Sequence, residues 1–91
     1  MARKRKSYYG ILRGFYKGVT DDWSSCRKWT MSYPGNCYQG FSTLEEAKEF
    51  LETYLLEGEG PYYAQIRGRM QQIQYVYELT DYMASRFADI R

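Results

Sequence analysis

A chain of 91 residues, 44% apolar and 19% aromatic, makes one small domain, and its lack of histidine excludes catalysis by an imidazole base. Two separated cysteines, Cys26 and Cys37, leave a structural zinc site short of ligands and do not form a disulfide framework; buried thiols are expected. The net charge of +2 conceals a polarity: residues 1–42 carry eight Lys/Arg against Asp21 and Asp22, whereas residues 43–60 set Lys48 against six glutamates. Such a chain suits a partner rich in phosphate at its basic end, although an acidic solvated helix behind a basic tail is the plainer reading.

Residues 1–6, with Arg3, Lys4, Arg5 and Lys6, read as a disordered basic tail with no apolar stretch behind it, hence no secretory signal. A run of ~18 apolar residues is also missing, so an intracellular protein is expected, its compartment (nuclear, cytoplasmic or organellar) left open. Residues 7–12 are apolar and aromatic and predict a first strand, which Arg13-Gly14 ends. Val19-Thr20 predicts a second strand returning antiparallel to the first. Asp21 or Asp22 can cap a helix starting at Trp23, whose apolar stripe runs through Cys26, Trp29 or Thr30, and Tyr33.

Pro34-Gly35-Asn36 is expected to stop that helix, and residues 37–41 form a third strand. Ser42 with Glu45 reads as a capping box, opening an amphipathic helix through Leu44, Ala47, Phe50, Leu51, Tyr54 and Leu55. A linker at 58–61 follows. Beyond it, Tyr63, Ile66, Met70, Ile73, Val76 or Tyr77, Thr80, Met83, Phe87 and Ile90 recur at three and four and predict a long amphipathic helix over 62–91, interrupted only by Gly68. The fold class expected is therefore α+β: a small three-stranded antiparallel sheet with two helices (β-β-α-β-α) over residues 7–57, plus the long C-terminal helix.

Several of these residues carry a resemblance. Tyr8-Tyr9, Gly14, Gly18-Val19, Trp23, Cys26, Tyr33-Pro34-Gly35, Tyr38, Gly40-Phe41 and Thr43-Leu44-Glu45-Glu46-Ala47 follow one another without gaps. In this order they resemble the N-terminal hybrid-binding domain of eukaryotic-type ribonuclease H, also found in caulimovirus viroplasmin proteins. The resemblance covers about half of the chain. It implies a module that binds RNA–DNA hybrids, and double-stranded RNA more weakly, across the minor groove. It also implies roles: Trp23 and Tyr38 pack on the sugar-phosphate of the DNA strand and Tyr9 approaches the groove, while backbone groups near the start of the first helix meet RNA 2′-hydroxyls. Family members commonly place lysine after the aromatic, where this chain has Gln39-Gly40; Gln39 can hydrogen-bond a phosphate but brings no charge. Arg13, Lys17, Arg27, Lys28 and the tail are the cations that can replace it.

The function expected is a non-catalytic nucleic-acid-binding module for RNA–DNA hybrid or double-stranded RNA, without cofactor or metal. Its acidic residues line one helix, where they suit solvation rather than convergence on Mg²⁺. The alternative from another class is a structural or adaptor protein, for example a ribonucleoprotein component. It would use residues 62–91 to dock a protein partner or to pair as a homodimer through the stripe of Ile66, Met70, Ile73, Met83, Phe87 and Ile90.

Overall fold

The computed structural model describes residues 6–55 and 60–79. β1 (Tyr8–Arg13) and β2 (Lys17–Thr20) form a hairpin. α1 (Trp23–Thr30) leads to β3 (Cys37–Phe41), and α2 (Leu44–Tyr54) leads to a second hairpin, β4 (Tyr62–Ile66) and β5 (Arg69–Ile73). Residues 76–79 are again helical. The five strands make one sheet in the order β3-β1-β2-β4-β5, antiparallel throughout except where β4 lies parallel to β2.

Strand alternation sorts the apolar residues onto two faces. Ile11 buries with Cys26 and Trp29 of α1, joined by Tyr9 and Tyr63. Tyr8 and Leu12, one residue out of phase, pack instead with Val19, Ala47, Leu51, Tyr62 and Ala64 beneath α2. One helix therefore covers each face, and the α2 face holds the larger core. Within α2, Leu44, Ala47, Leu51 and the following Leu55 keep the helical spacing that points them at the sheet.

The expected three-stranded antiparallel sheet with a long C-terminal helix is not what forms. Residues 62–66 alternate between buried and half-buried, with Tyr62, Ala64 and Ile66 in the core. Arg67 and Gly68, both at positive φ (55° and 78°), turn the chain into β5. The cause is tertiary: β2 has a second edge, and a strand laid along it buries three side chains that a helix there could not. The spacing of three and four at Tyr63, Ile66, Met70 and Ile73 is coincidental, because Tyr63 packs on the α1 side while Ile66 and Ile73 enter the α2 core. Met70 is exposed. The apolar stripe proposed for self-association thus loses Ile66 and Ile73 to the core. Met83, Phe87 and Ile90, residues 1–5 of the basic tail and residues 58–59 of the linker lie outside the described residues.

Two smaller boundaries also move. The capping box is Thr43 with Glu46, since Thr43 Oγ1 accepts the Glu46 N–H and Glu46 Oε1 accepts the Thr43 N–H, each at 3.2 Å. Ser42/Glu45 offers the same pattern one residue earlier, and the phase that aims Leu44 and Ala47 at the sheet selects the later box. Helix α1 ends at Thr30, before Pro34, where the Asn36 side chain donates to the Thr30 carbonyl at 2.9 Å and Ser32 takes a φ of 66°. Among the described residues no helix is long and apolar enough to cross a membrane.

Both cysteines are free thiols. Cys26 is wholly buried, and burial pushes its pKa from an ordinary 9.0 up to about 11. The folded state therefore holds this proton more tightly than the unfolded chain. The stability it contributes is complete below pH 9 and is lost as pH rises towards 11, a decline of about 2–3 kcal/mol. Chemical denaturation of wild type and Cys26→Ala at pH 8 and pH 10.5 checks this: the wild-type protein should lose more stability over that interval. An equal loss in both would remove Cys26 as the cause.

Candidate nucleic-acid interface

Three aromatic rings from three elements form a ledge on the α1 face. Tyr9 of β1 lies opposite Gly40 of β3, and Ile11 opposite Tyr38, so Tyr9 and Tyr38 are diagonal neighbours on one face. Trp23, the first residue of α1, stands against both: its ring centroid is 5.3 Å from that of Tyr9 and 6.3 Å from that of Tyr38, with interplanar angles of 46° and 52°. Gly40 makes room for this arrangement, since a Cβ there would come within 3.3 Å of the Tyr9 ring. The Tyr9 hydroxyl donates to the Lys6 carbonyl at 3.1 Å. Burial, with the Cys26 thiol and the Asp22 carboxylate nearby, raises its pKa, so it stays a neutral donor at ordinary pH.

Although Trp23 opens an amphipathic helix, it is not core. It is 47% exposed and Tyr38 is 41% exposed, whereas Cys26 and Trp29 take the buried positions. The start of α1 is fixed from below. Asp22 caps the helix, its carboxylate accepting from Ser25 N–H at 3.1 Å and Ser25 Oγ at 2.9 Å. The Asp22 N–H in turn donates to Thr20 Oγ1 at 3.1 Å, and buried Thr20 donates onward to Gln65 Oε1 at 2.8 Å. The position of Trp23 is thus tied through two side chains to β4.

Charged side chains flank the ledge and cover α2. Arg27 and Lys28, in the last turn of α1, are exposed on the ledge side, where they also complement the helix C-terminus. Arg27 borders the shallow groove between Trp23, Met31, Asn36 and Tyr38. Glu45, Glu46, Glu49 and Glu52 are exposed on α2, behind the opposite face. The ledge side thus holds Arg27 and Lys28 together with Asp21 and Asp22, while α2 presents mainly carboxylates.

Of the eight residues singled out in the sequence, Tyr9, Trp23, Arg27, Tyr38 and Gly40 come together. Gln39 does not join them. It follows Tyr38 in a strand, points to the other face, and lines a groove with Phe41, Glu46, Glu49 and Phe50. Arg13 and Lys17 sit at the far end of the β1–β2 hairpin, about 13 Å and about 10 Å along the strands from the level of Tyr9 at ~3.3 Å per residue. Lys17 Nζ lies 5.2 Å from the centroid of the Tyr62 ring, on the α2 side. Gln65 is the residue that reading the sequence misses. Its only signal is the alternation of Tyr62, Ala64 and Ile66 around it.

Residues 7–51, which contain the whole ledge, match the family model of the ribonuclease H1 N-terminal domain. This segment belongs to that family. Beside the match to the ribonuclease H1 N-terminal domain, 48 residues are 33% identical to the transactivator/viroplasmin protein of cauliflower mosaic virus, strain Bari 1, and equally to that of strain CM-1841. The match covers 53% of this chain and 9% of each viral protein, so the chain spans less than a tenth of the length of these relatives. No solved structure matches the chain significantly. The family segment ends inside α2, so β4 and β5 are additions to it, although they share its sheet.

Proposed function

We propose that the chain binds an RNA–DNA hybrid or double-stranded RNA, along the minor groove and backbone, through the ledge of Tyr9, Trp23 and Tyr38. The observation that carries this reading is the internally braced ring set, with Trp23 and Tyr38 half exposed and Arg27 beside them, in a segment that matches the ribonuclease H1 N-terminal domain. A-form and related duplexes present a wide, shallow minor groove lined by 2′-hydroxyls, which a protein reads by shape. A flat aromatic face suits a deoxyribose, which has no 2′-hydroxyl to desolvate. Backbone groups at the β2–α1 junction suit the ribose strand, because a 2′-hydroxyl both donates and accepts. Recognition of this kind reads backbone and shape rather than base sequence. The role is binding without catalysis, with the glutamates of α2 solvated behind the sheet. Loss of duplex affinity in a folded Trp23→Ala/Tyr38→Ala protein tests the reading, and an unchanged affinity contradicts it.

A further inference from the structure

We propose that Gln65, outside the family segment, donates a side-chain amide N–H to a ribose 2′-hydroxyl of the bound duplex and so adds to the preference for ribose over deoxyribose. This rests on the duplex-binding reading above and names a residue of β4 for the strand that the rings do not hold.

Strand register decides the location. Tyr9 pairs with Gly40 of β3 and with Thr20 of β2, Thr20 pairs with Gln65, and Gln65 pairs with Met70 of β5. These five residues form one row across the sheet, on the face that carries the ledge. Tyr63, two residues before Gln65 in the strand, packs on that same face. Strands spaced ~4.8 Å apart put Gln65 roughly 10 Å from Tyr9 along the row, past the β2–α1 junction. The rings thus stand on one side of that junction and Gln65 on the other. Met70, at the end of the row, is 47% exposed, so the row is open to solvent there.

Hydrogen bonding decides which amide atom is presented. Oγ1 of buried Thr20 accepts the Asp22 N–H at 3.1 Å and donates its own proton to Gln65 Oε1 at 2.8 Å. The amide oxygen is therefore turned inward, and Nε2 is the atom left over. Nε2 has no partner among the described residues, and no buried side-chain nitrogen or oxygen among them lacks one. Nε2 is therefore open to solvent, a pair of N–H donors whose aim is set by the bound oxygen. A donor already held in place loses little freedom on binding. A ribose 2′-hydroxyl accepts such a donor, and deoxyribose offers no atom in its place.

The test compares affinity for an RNA–DNA hybrid with affinity for double-stranded DNA of the same sequence, by fluorescence anisotropy on the full chain. Gln65→Met keeps the length of the side chain without a donor. Gln65→Glu also removes the donor, but keeps an oxygen for the Thr20 hydroxyl, so the start of α1 stays anchored. Its added charge acts on both duplexes and cancels in the ratio of affinities. In both variants the hybrid-to-DNA ratio should fall about fivefold, the worth of one neutral hydrogen bond. A wild-type ratio in either variant overturns the amide contact, even where both affinities drop, because that pattern marks a role through Thr20 alone. Hybrid binding that still depends on Trp23 and Tyr38 leaves the ledge standing in that case. A wild-type chain that fails to bind the hybrid, or a Trp23→Ala/Tyr38→Ala protein that binds as wild type, overturns the ledge and the amide contact with it.

Discussion

Replacing Trp23 and Tyr38 together by alanine is expected to weaken binding to an RNA–DNA hybrid by about 100-fold. An aromatic ring packed on a nucleotide contributes about 1–3 kcal/mol, and two rings at the middle of that range exceed the ~2.8 kcal/mol that a 100-fold change requires. The fold should survive. Both rings are roughly half exposed, and the core beneath them (Ile11, Cys26 and Trp29) does not depend on their outer faces. Phe15→Ala is the matched control. Its ring is 59% exposed in the β1–β2 turn, where it packs edge-on against Tyr33 away from the ledge. Anisotropy titrations, with thermal melts followed by circular dichroism, separate the cases. A ring deletion that weakens binding equally at Phe15 and at the ledge would mean general aromatic adhesion, not a defined surface.

A second large effect is expected at Gly18. Its φ is +138°, and a Cβ there would fall on the Tyr63 carbonyl oxygen of the parallel neighbour β4. Gly18→Ala must therefore strain β2 or push β4 away, at a cost of roughly 3 kcal/mol or more. A chain of this size has only about 5–13 kcal/mol of stability in total. The β4–β5 hairpin should loosen first, breaking the Thr20–Gln65 hydrogen bond and freeing the start of α1. Denaturant midpoints and hydrogen exchange at the amides of β4 and β5 report both consequences. Gly35→Asn provides the contrast: at φ +70° with nothing near its Cβ, that change should cost a few tenths of a kcal/mol. A Gly18→Ala protein with the stability and exchange of wild type would deny the parallel pairing of β2 with β4.

How much of this was legible in the sequence follows from how local each signal is. The order β-β-α-β-α through Tyr54 rests on neighbours in sequence: aromatic runs, an Asp cap, a Pro-Gly-Asn turn and a capping box. The rings of the ledge were visible as a set because the family pattern carries them in order, although their closeness depends on pairing Tyr9 with Gly40. The second hairpin was not legible. Its pairing partner lies 45 residues away in the chain, and Ile66 and Ile73 satisfy a helical spacing as well as a strand one. Gln39 shows a different failure, since two successive residues of a strand face opposite ways and Tyr38 and Gln39 could not share a surface. Trp23 fits the stripe of α1, yet the first residue of the helix projects past the core and stays exposed.

The most direct measurement compares wild-type binding to three duplexes of one sequence, as RNA–DNA hybrid, double-stranded RNA and double-stranded DNA, at two salt concentrations. A ledge that packs on deoxyribose beside backbone groups that meet 2′-hydroxyls predicts tightest binding to the hybrid, weaker binding to double-stranded RNA and weakest binding to double-stranded DNA. That order should persist at the higher salt, because rings and 2′-hydroxyl contacts are not screened as phosphate contacts are. Equal, weak binding to all three that vanishes with salt would contradict it.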